Sequence, residues 1–386
     1  MTVTKAKYRN FRNLGDVSVE FSPGVNVLWG MNAQGKSNIL EGLYYFARGR
    51  SFRGVKDRDL VMFGEAAALC EIEFTRGAGD TEVRLGAAIP QSGRKKLSRN
   101  GAPLKGSAEM MGAFRAVLFC PAHLSLVSGG PAERRQFLDI AIAQNSSSYI
   151  YYLSNYRRFL AERNALLKRY ASGVKVSREE WEIYAEQLSL AASEIYAERN
   201  RYCALLTEDV AGYFREMTGG RETPRLDYTS QMDAFSSDES ETTEIKSETR
   251  EGLFEKLTSN IKREAAAGST LWGPHKDDIH IGINGREARF FASQGQQRSI
   301  ALSMKLAEGE ISRRGSGEYP VFLLDDVFSE LDETRRSFIM ESLRGRQIIV
   351  TSCEPSVVPR DGMGGDIEYF RVSDGEVYSG EACLHE

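Results

Sequence analysis

The chain has 386 residues, 41% hydrophobic and 27% charged, with a formal net charge of −4. That length accommodates one large domain or two smaller ones, and the slightly acidic balance excludes a uniformly basic nucleic-acid binder, so any such binding must use local patches. No apolar run approaches the roughly 18 residues of a membrane helix, no signal peptide opens the sequence, and the five scattered cysteines, never spaced CxxC, fit a reduced cytoplasmic protein without zinc.

The first thirty residues read as strands, with Val17, Val19 and Phe21 alternating and Pro23-Gly24 breaking the run. The β-rich stretch VNVLW feeds into GMNAQGKS (30–37), after which Ile39, Leu40, Leu43, Tyr44 and Ala47 keep helical spacing. From about 65 to 120 strands return (ALCEIEF, EVRLGAAI, AVLFC), and Asn100-Gly101 signals a hairpin. Pro131 then opens a helical stretch, PAERRQFLDIAIAQ, followed by long helical patterns at about 146–170 and 178–216. The segment 236–251, rich in Ser, Thr and Glu, reads as part of a mobile loop over 228–251. A shorter helix, GLFEKLTSNIKREAAAG, ends near 268.

Strands resume with DIHIGINGREARFF, whose Asn284-Gly285 marks a second hairpin. A helix in GQQRSIALSMKLAEGEISRR precedes the strand YPVFLLDD; a helix near 332–344, the strand QIIVTS and a hairpin at Asp374-Gly375 complete the chain. This order predicts one α/β lobe in two pieces, 1–125 and 271–386, interrupted by a mainly helical lobe over 126–270.

GMNAQGKS fits the pattern G-x-x-x-x-G-K-[ST] between a strand and a helix. Gly30, Met31, Asn32, Ala33, Gln34 and Gly35 supply backbone N–H groups to phosphate oxygens, Lys36 reaches the β- and γ-phosphates, and the Ser37 hydroxyl ligates Mg²⁺. VFLLDD is an apolar run ending in acids, as in a buried parallel strand whose carboxyl end faces a ligand. Asp325 is the expected Mg²⁺ partner and Asp326 the residue that positions attacking water. SQGQQRS (293–299) places small polar residues before a helix; it is either an ordinary cap or a second anion site that completes a partner's.

Several other groups leave alternatives open. His275, Asp277, Asp278 and His280 crowd together, but alternation in DIHIGI fits a half-buried strand better than a metal site. Arg134 and Arg135 open a helix, where cations oppose the dipole, so they serve phosphate, an opposing subunit or a solvated face. Arg157 and Arg158 belong to a basic stretch, YRRFLAERNALLKRY, whose readings are a solvated helix or contact with phosphate backbone.

The order of glycine loop, helical insert, SQGQQRS and LLDDVFSELD resembles the ABC-type ATPase heads of the SMC class. The stretches YRNFRNL, GMNAQGKSNILEGLYY, GGPAERRQFLD, GPHKDD and SQGQQRS with LLDDVFSELD resemble the RecF family of bacterial recombination mediators over nearly the whole chain. The resemblance implies an SMC-like P-loop head that binds ATP and Mg²⁺, with Lys36, Asp325 and Asp326 catalytic. It implies that Arg9, Asn10, Phe11 and Arg12 approach the nucleotide. Ser293, Gln294, Gly295 and Gln296 would reach the ATP of a second copy, and Ser329, Glu330, Leu331 and Asp332 would form a loop at the dimer seam.

It further implies an ATP-dependent homodimer on duplex DNA and single-strand/duplex junctions, with RecO and RecR as partners and RecA loading at gaps as the outcome. Weak DNA-stimulated ATP hydrolysis, replication restart and the SOS response complete the expectation. Three departures stand out: SQGQ in place of LSGGQ, Asp326 in place of a glutamate, and no histidine after QIIVTS. The first two are usual for the RecF family and together imply slow hydrolysis. Ala122 stands where the family commonly has an acid. The competing classes are a transporter ATPase subunit, disfavoured by the missing histidine, and a nuclease-linked ATPase, which needs a carboxylate-rich domain beyond residue 351.

Overall fold

The structure, a computed structural model, describes all residues except 78, 80, 221, 233–241, 358–366 and 380–386. The chain divides into two compact units: Met1–Leu124 with Tyr213–Gly220 and Arg298–Glu386, and Ser125–Gly212 with Arg221–Gln297.

The first unit carries two six-stranded sheets. In the mainly parallel one, Ile367–Ser373, Val25–Trp29, Ile348–Ser352, Val321–Asp325 and Ala116–Phe119 lie side by side, with Glu376–Ser379 antiparallel at one edge. Strands covered on both faces need unbroken apolar sequence, and Val321, Phe322, Leu323 and Leu324 are fully buried for that reason. Phe322 and Leu324 join Val25, Val27, Leu302, Leu306, Ile339 and Ile348 in one core. The second sheet is antiparallel, in the order Leu14–Glu20, Thr2–Phe11, Ala67–Arg76, Thr81–Pro90, Lys96–Arg99 and Ala102–Leu104. The buried Gln347 side chain ties the two sheets, accepting from Val3 N at 2.7 Å and donating to Val3 O at 2.7 Å.

The second unit contains the helices Pro131–Ala143, Ser147–Ala171, most of Arg178–Thr218, Thr242–Ser259 and Ile261–Ala267. A three-stranded sheet of Pro224–Thr229, Asp278–Ile283 and Arg286–Glu287 completes it. Leu166, Leu167, Trp181 and Ala265 form a small apolar cluster there. Arg163, fully buried, is tolerated because its guanidinium reaches Glu264 at 2.5 Å, Leu257 O at 2.7 Å and Thr270 Oγ1 at 2.9 Å.

Two expectations are corrected. Residues 271–297, expected with the ATPase-like lobe, belong to the helical unit, because Asp278–Ile283 pairs with Pro224–Thr229 along its length and buries Ile279, Ile281 and Ile283. The loop expected over 228–251 begins as strand to Thr229 and ends as helix from Thr242; residues 233–241 lie outside the described ones. Its Ser/Thr/Glu-rich composition hid a helix held by buried Thr249 and Leu253 and by the ion pairs Lys246–Glu194 (2.8 Å) and Arg250–Glu186. The three Asx-Gly hairpins do form, with Asn100, Asn284 and Asp374 at φ 51°, 52° and 51°.

Candidate functional site

The glycine loop leaves the strand Val25–Trp29 and enters the helix Lys36–Arg48 at Gly35, whose φ of 118° suits only glycine. A Cβ at Gly30 would stand 2.2 Å from Val372 O, so the loop also needs glycine where the terminal hairpin passes. That hairpin grips the loop further: Gly375 N donates to Gln34 O at 3.0 Å, and Asp374 N donates to the Gln34 side chain. The Lys36 ammonium bridges Gly30 O at 2.5 Å and Met31 O at 2.7 Å, holding a cation inside the cradle.

The carboxylate strand ends in the same place. Ser37 Oγ donates to Asp325 Oδ1 at 2.5 Å, and Thr351 Oγ1 donates to the same oxygen at 3.0 Å. Burial raises the Asp325 carboxyl above its ordinary range, and the two hydroxyls pull it partly back. Asp326 follows at φ 51°, exposed, with its N–H on Thr351 Oγ1 at 2.9 Å and its carbonyl accepting from Ser329 Oγ at 2.8 Å. Backbone N–H groups and a lysine line an anion pocket, and beside it a hydroxyl and a carboxylate supply hard oxygen donors. The arrangement fits a nucleoside triphosphate with Mg²⁺.

The N-terminal stretch reaches the loop's helix through Arg12, one of the four residues expected near the nucleotide, and through Asn13. Phe11 is 0% exposed and packs 5.8 Å from Tyr8, which corrects its assignment as a nucleotide contact: its side chain is core. Arg9 is exposed and pairs with Asp16 at 3.4 Å on the neighbouring strand. Arg12 instead grips buried Glu41 of the helix at 2.9 Å, and Asn13 Oδ1 accepts from Asn38 Nδ2 at 2.7 Å. Arg53 reaches Asn38 Oδ1 at 2.9 Å and Glu41 at 3.5 Å. Arg53 and Thr351 carry no local motif, and Asn13 lies within YRNFRNL without being singled out; a turn after the helix brings Arg53 to the site and strand register brings Thr351.

Ser293 and Gln296 cap the helix Gln294–Ser316 reciprocally, Ser293 N donating to Gln296 Oε1 at 2.6 Å and Gln296 N to Ser293 Oγ at 3.2 Å. Ser293 and Gln294 remain exposed. In the first unit Asp332 caps the helix Glu333–Ser342 by accepting from Arg335 N at 2.9 Å, and Ser329, Glu330 and Asp332 are exposed while Leu331 is buried. Arg298 holds this loop through Glu330 O at 2.7 Å.

The basic candidates separate. Arg134 is 6% exposed, and its guanidinium forks onto Asp278 at 2.7 and 2.8 Å while donating to Leu126 O and Gly129 O. It holds the lobe together, which corrects its assignment to DNA. Arg135 donates to Asp277 O at 2.7 Å, Arg157 pairs with Asp139 at 2.7 Å while its side chain stays 54% exposed, and Arg158 lies exposed over the Phe159 ring. The acids and histidines of GPHKDD serve structure too. Asp277 meets Arg199 at 3.1 Å and accepts from Tyr228 OH at 2.5 Å, and His275 joins Tyr156 OH at 2.6 Å. Burial pushes the Asp277 carboxyl up to about 6 against the pull of Arg199, and lowers His275 to about 4.

Residues 2–362 match the family model described as RecF/RecN/SMC N terminal domain. The chain is 34% identical over 377 residues to the DNA replication and repair protein RecF of Clostridium novyi, covering 98% of this chain and 99% of that one. It is 36% identical over 383 residues to the protein of the same description from Acetivibrio thermocellus, covering 98% and 100%. Two solved structures of the recombination mediator protein RecF in the RecFOR pathway, one with ATPrS and one with ATP, superpose with TM-scores of 0.88 and 0.87 at 35% and 34% identity. Each comparison covers 98% of this chain and 97% of the other. An Smc head bound to the C-winged helix domain of ScpA shares the fold, with a TM-score of 0.56 at 17% identity.

Proposed function

The chain belongs to the RecF family of the RecF/RecN/SMC class, and from that membership we propose that it is an ATP-dependent DNA-binding protein of recombinational repair and replication. The observation that carries the reading is the convergence of the glycine loop, Lys36, Ser37, Asp325 and Asp326 at the carboxyl ends of one parallel sheet. The structures of RecF with ATP and with ATPrS support a triphosphate as the ligand.

In the proposed complex the loop's N–H groups and Lys36 bind the β- and γ-phosphates, releasing the Lys36 ammonium from the carbonyls of Gly30 and Met31. Ser37 and Asp325 are the residues that would hold Mg²⁺, which supplies charge neutralisation on the phosphates. Asp326, exposed at the strand end, orients the attacking water and takes up its proton. An aspartate there is one methylene shorter than glutamate, in keeping with slow hydrolysis and with nucleotide used mainly as a switch. Ser293, Gln294, Gly295 and Gln296 then cap the triphosphate of a second copy, and the loop Ser329–Asp332 lies at the seam. ATP favours the pair because it binds two half-sites better than one.

The pair would close over duplex DNA or a single-strand/duplex junction, with Arg135, Arg157 and Arg158 offering charge to the phosphate backbone. Nothing in the chain resembles base-reading machinery, so binding is salt-sensitive and guided by DNA structure. RecO and RecR are the proposed partners, loading of RecA at gaps the outcome, with replication restart and the SOS response downstream in the cytoplasm. No helix among the described residues is long and apolar enough to cross a membrane.

Analytical ultracentrifugation with and without ATP, then with a gapped duplex added, tests the reading. The expected result is a monomer that doubles in mass with ATP and joins the DNA in that form. A protomer indifferent to both would overturn it.

A further inference from the structure

The sheet order places Ile348–Ser352 between the loop strand Val25–Trp29 and the carboxylate strand Val321–Asp325. Thr351 on this intervening strand is in register with Asp325 on one side and with Leu28 on the other. It is 1% exposed, so a hydroxyl there must find partners or cost the sheet a buried polar group. It finds two of unlike kind. Oγ1 donates to Asp325 Oδ1 at 3.0 Å and accepts from Asp326 N at 2.9 Å.

One hydroxyl thereby sets both carboxylates. Toward Asp325 it shares Oδ1 with Ser37, so that neither hydroxyl occupies Oδ2. Toward Asp326 it fixes the amide of a residue at φ 51°, a conformation that is unfavourable for a non-glycine residue and needs support from its surroundings. Ser329 Oγ holds the carbonyl of the same residue at 2.8 Å. The backbone of Asp326 is pinned at its N–H and at its carbonyl, and the residue stays exposed at the strand end.

We propose that Thr351 is a positioning residue for nucleotide hydrolysis, whose hydroxyl fixes the metal-holding oxygen of Asp325 and the outward turn of Asp326 together. This rests on the proposed roles of Asp325 and Asp326, and it adds a residue that no motif of the sequence marks. Threonine suits this position because its methyl group fills the sheet as valine would, while its hydroxyl is held in one rotamer between donor and acceptor.

Thr351→Val keeps the shape and removes both hydrogen bonds; Thr351→Ser keeps both bonds and loses the methyl group. Two readouts are compared: steady-state ATP turnover, and the affinity of a fluorescent ATP analogue with and without Mg²⁺. For Thr351→Val, affinity without Mg²⁺ should stay within about threefold of wild type. Its turnover, and the gain in affinity that Mg²⁺ brings, should each fall about 10–100-fold, the usual size of an outer-shell loss. Thr351→Ser should restore both to within about threefold.

If Asp326→Asn abolishes turnover while Thr351→Val alters neither readout, the positioning role is wrong and the hydrolysis reading stands. If the wild type does not hydrolyse ATP, yet Thr351→Val still weakens the Mg²⁺ gain and Thr351→Ser restores it, the hydrolysis reading fails and the hold on Asp325 stands. A serine variant as defective as the valine one would reduce Thr351 to packing and overturn the proposal.

Discussion

Ser37 Oγ lies 2.5 Å from Asp325 Oδ1, although 288 positions separate the two residues in the chain. The contact exists because the helical unit is a detour: the chain leaves the parallel sheet after Ala116–Phe119 and returns to it at Val321–Asp325, the strand next door. A P-loop and its acidic partner are thus parts of one sheet, and neither is a site without the other.

The lysine between them yields the first prediction. The Lys36 ammonium sits on Gly30 O and Met31 O, in the position from which a bound phosphate would recruit it. Hydrogen bonds to charged groups contribute about 1.5–3 kcal/mol each, so Lys36→Met should cost ATP affinity at least tenfold and roughly a hundredfold if two are lost. Sedimentation should show no ATP-dependent pairing at concentrations where the wild type pairs. A variant that pairs normally would remove Lys36 from the site.

Ser293 caps its own helix through Gln296, yet stays exposed. A bulky cation at this position should leave nucleotide binding by the single protomer unchanged while obstructing a second copy. Ser293→Arg is therefore expected to keep the wild-type affinity for a fluorescent ATP analogue and to lose dimerisation, whereas Ser293→Thr, which preserves the cap, should pair within about threefold of wild type. Pairing by the arginine variant would place the seam elsewhere.

The chemistry-bearing stretches were legible because each is local. GMNAQGKS, VFLLDD and SQGQQRS each announce a turn or strand end within a few residues, and the Asx-Gly pairs at 100, 284 and 374 announce their hairpins. What sequence could not show depends on partners far along the chain. Phe11 stands in a run that reads as nucleotide-facing, but strand alternation turns its ring into the core beside Tyr8. Arg134 reads as a misplaced surface cation until Asp278, 144 positions on, arrives to pair with it. Thr351 is one more polar residue at a strand end until register sets it against Asp325. The helix from Thr242 was hidden by composition: its charged side chains find Glu186 and Glu194 on another helix, contacts that residue counting does not see.

Arg134 and Arg158 should accordingly behave as opposites. Removing Arg134 leaves Asp278 without its forked partner near Leu126 O and Gly129 O, and breaking a buried pair costs about 3–5 kcal/mol. Arg134→Ala should lower the melting temperature sharply, with DNA affinity per folded molecule unchanged. Arg158→Ala should leave melting alone and reduce the salt dependence of duplex binding by roughly 0.9 in the log–log slope if it meets a phosphate. Measuring both quantities for both variants separates the roles; an Arg134→Ala protein that melts like wild type but binds DNA less would return Arg134 to the DNA surface.

The buried titrating groups Asp277 and His275 of GPHKDD give the helical unit two opposed pH responses. Asp277 is pushed from 3.8 up to about 6, chiefly by burial, so between those values the folded chain holds a proton that the unfolded chain releases, and stability rises as pH falls. His275 is lowered from 6.5 to about 4, again chiefly by burial, so over nearly the same interval the unfolded chain holds a proton that the folded one refuses, and stability drops as pH falls. Each slope approaches about 1.4 kcal/mol per pH unit, and their signs are opposite, so the two nearly cancel from about pH 4 to about pH 6. Asp277→Asn should unmask the histidine and make the protein lose stability on acidification relative to wild type; His275→Gln should unmask the carboxylate and make it gain. Urea unfolding followed by circular dichroism across that interval reads the slopes directly, and offsets from altered packing do not affect them. Parallel slopes in wild type and both variants would mean that neither group titrates differently on folding.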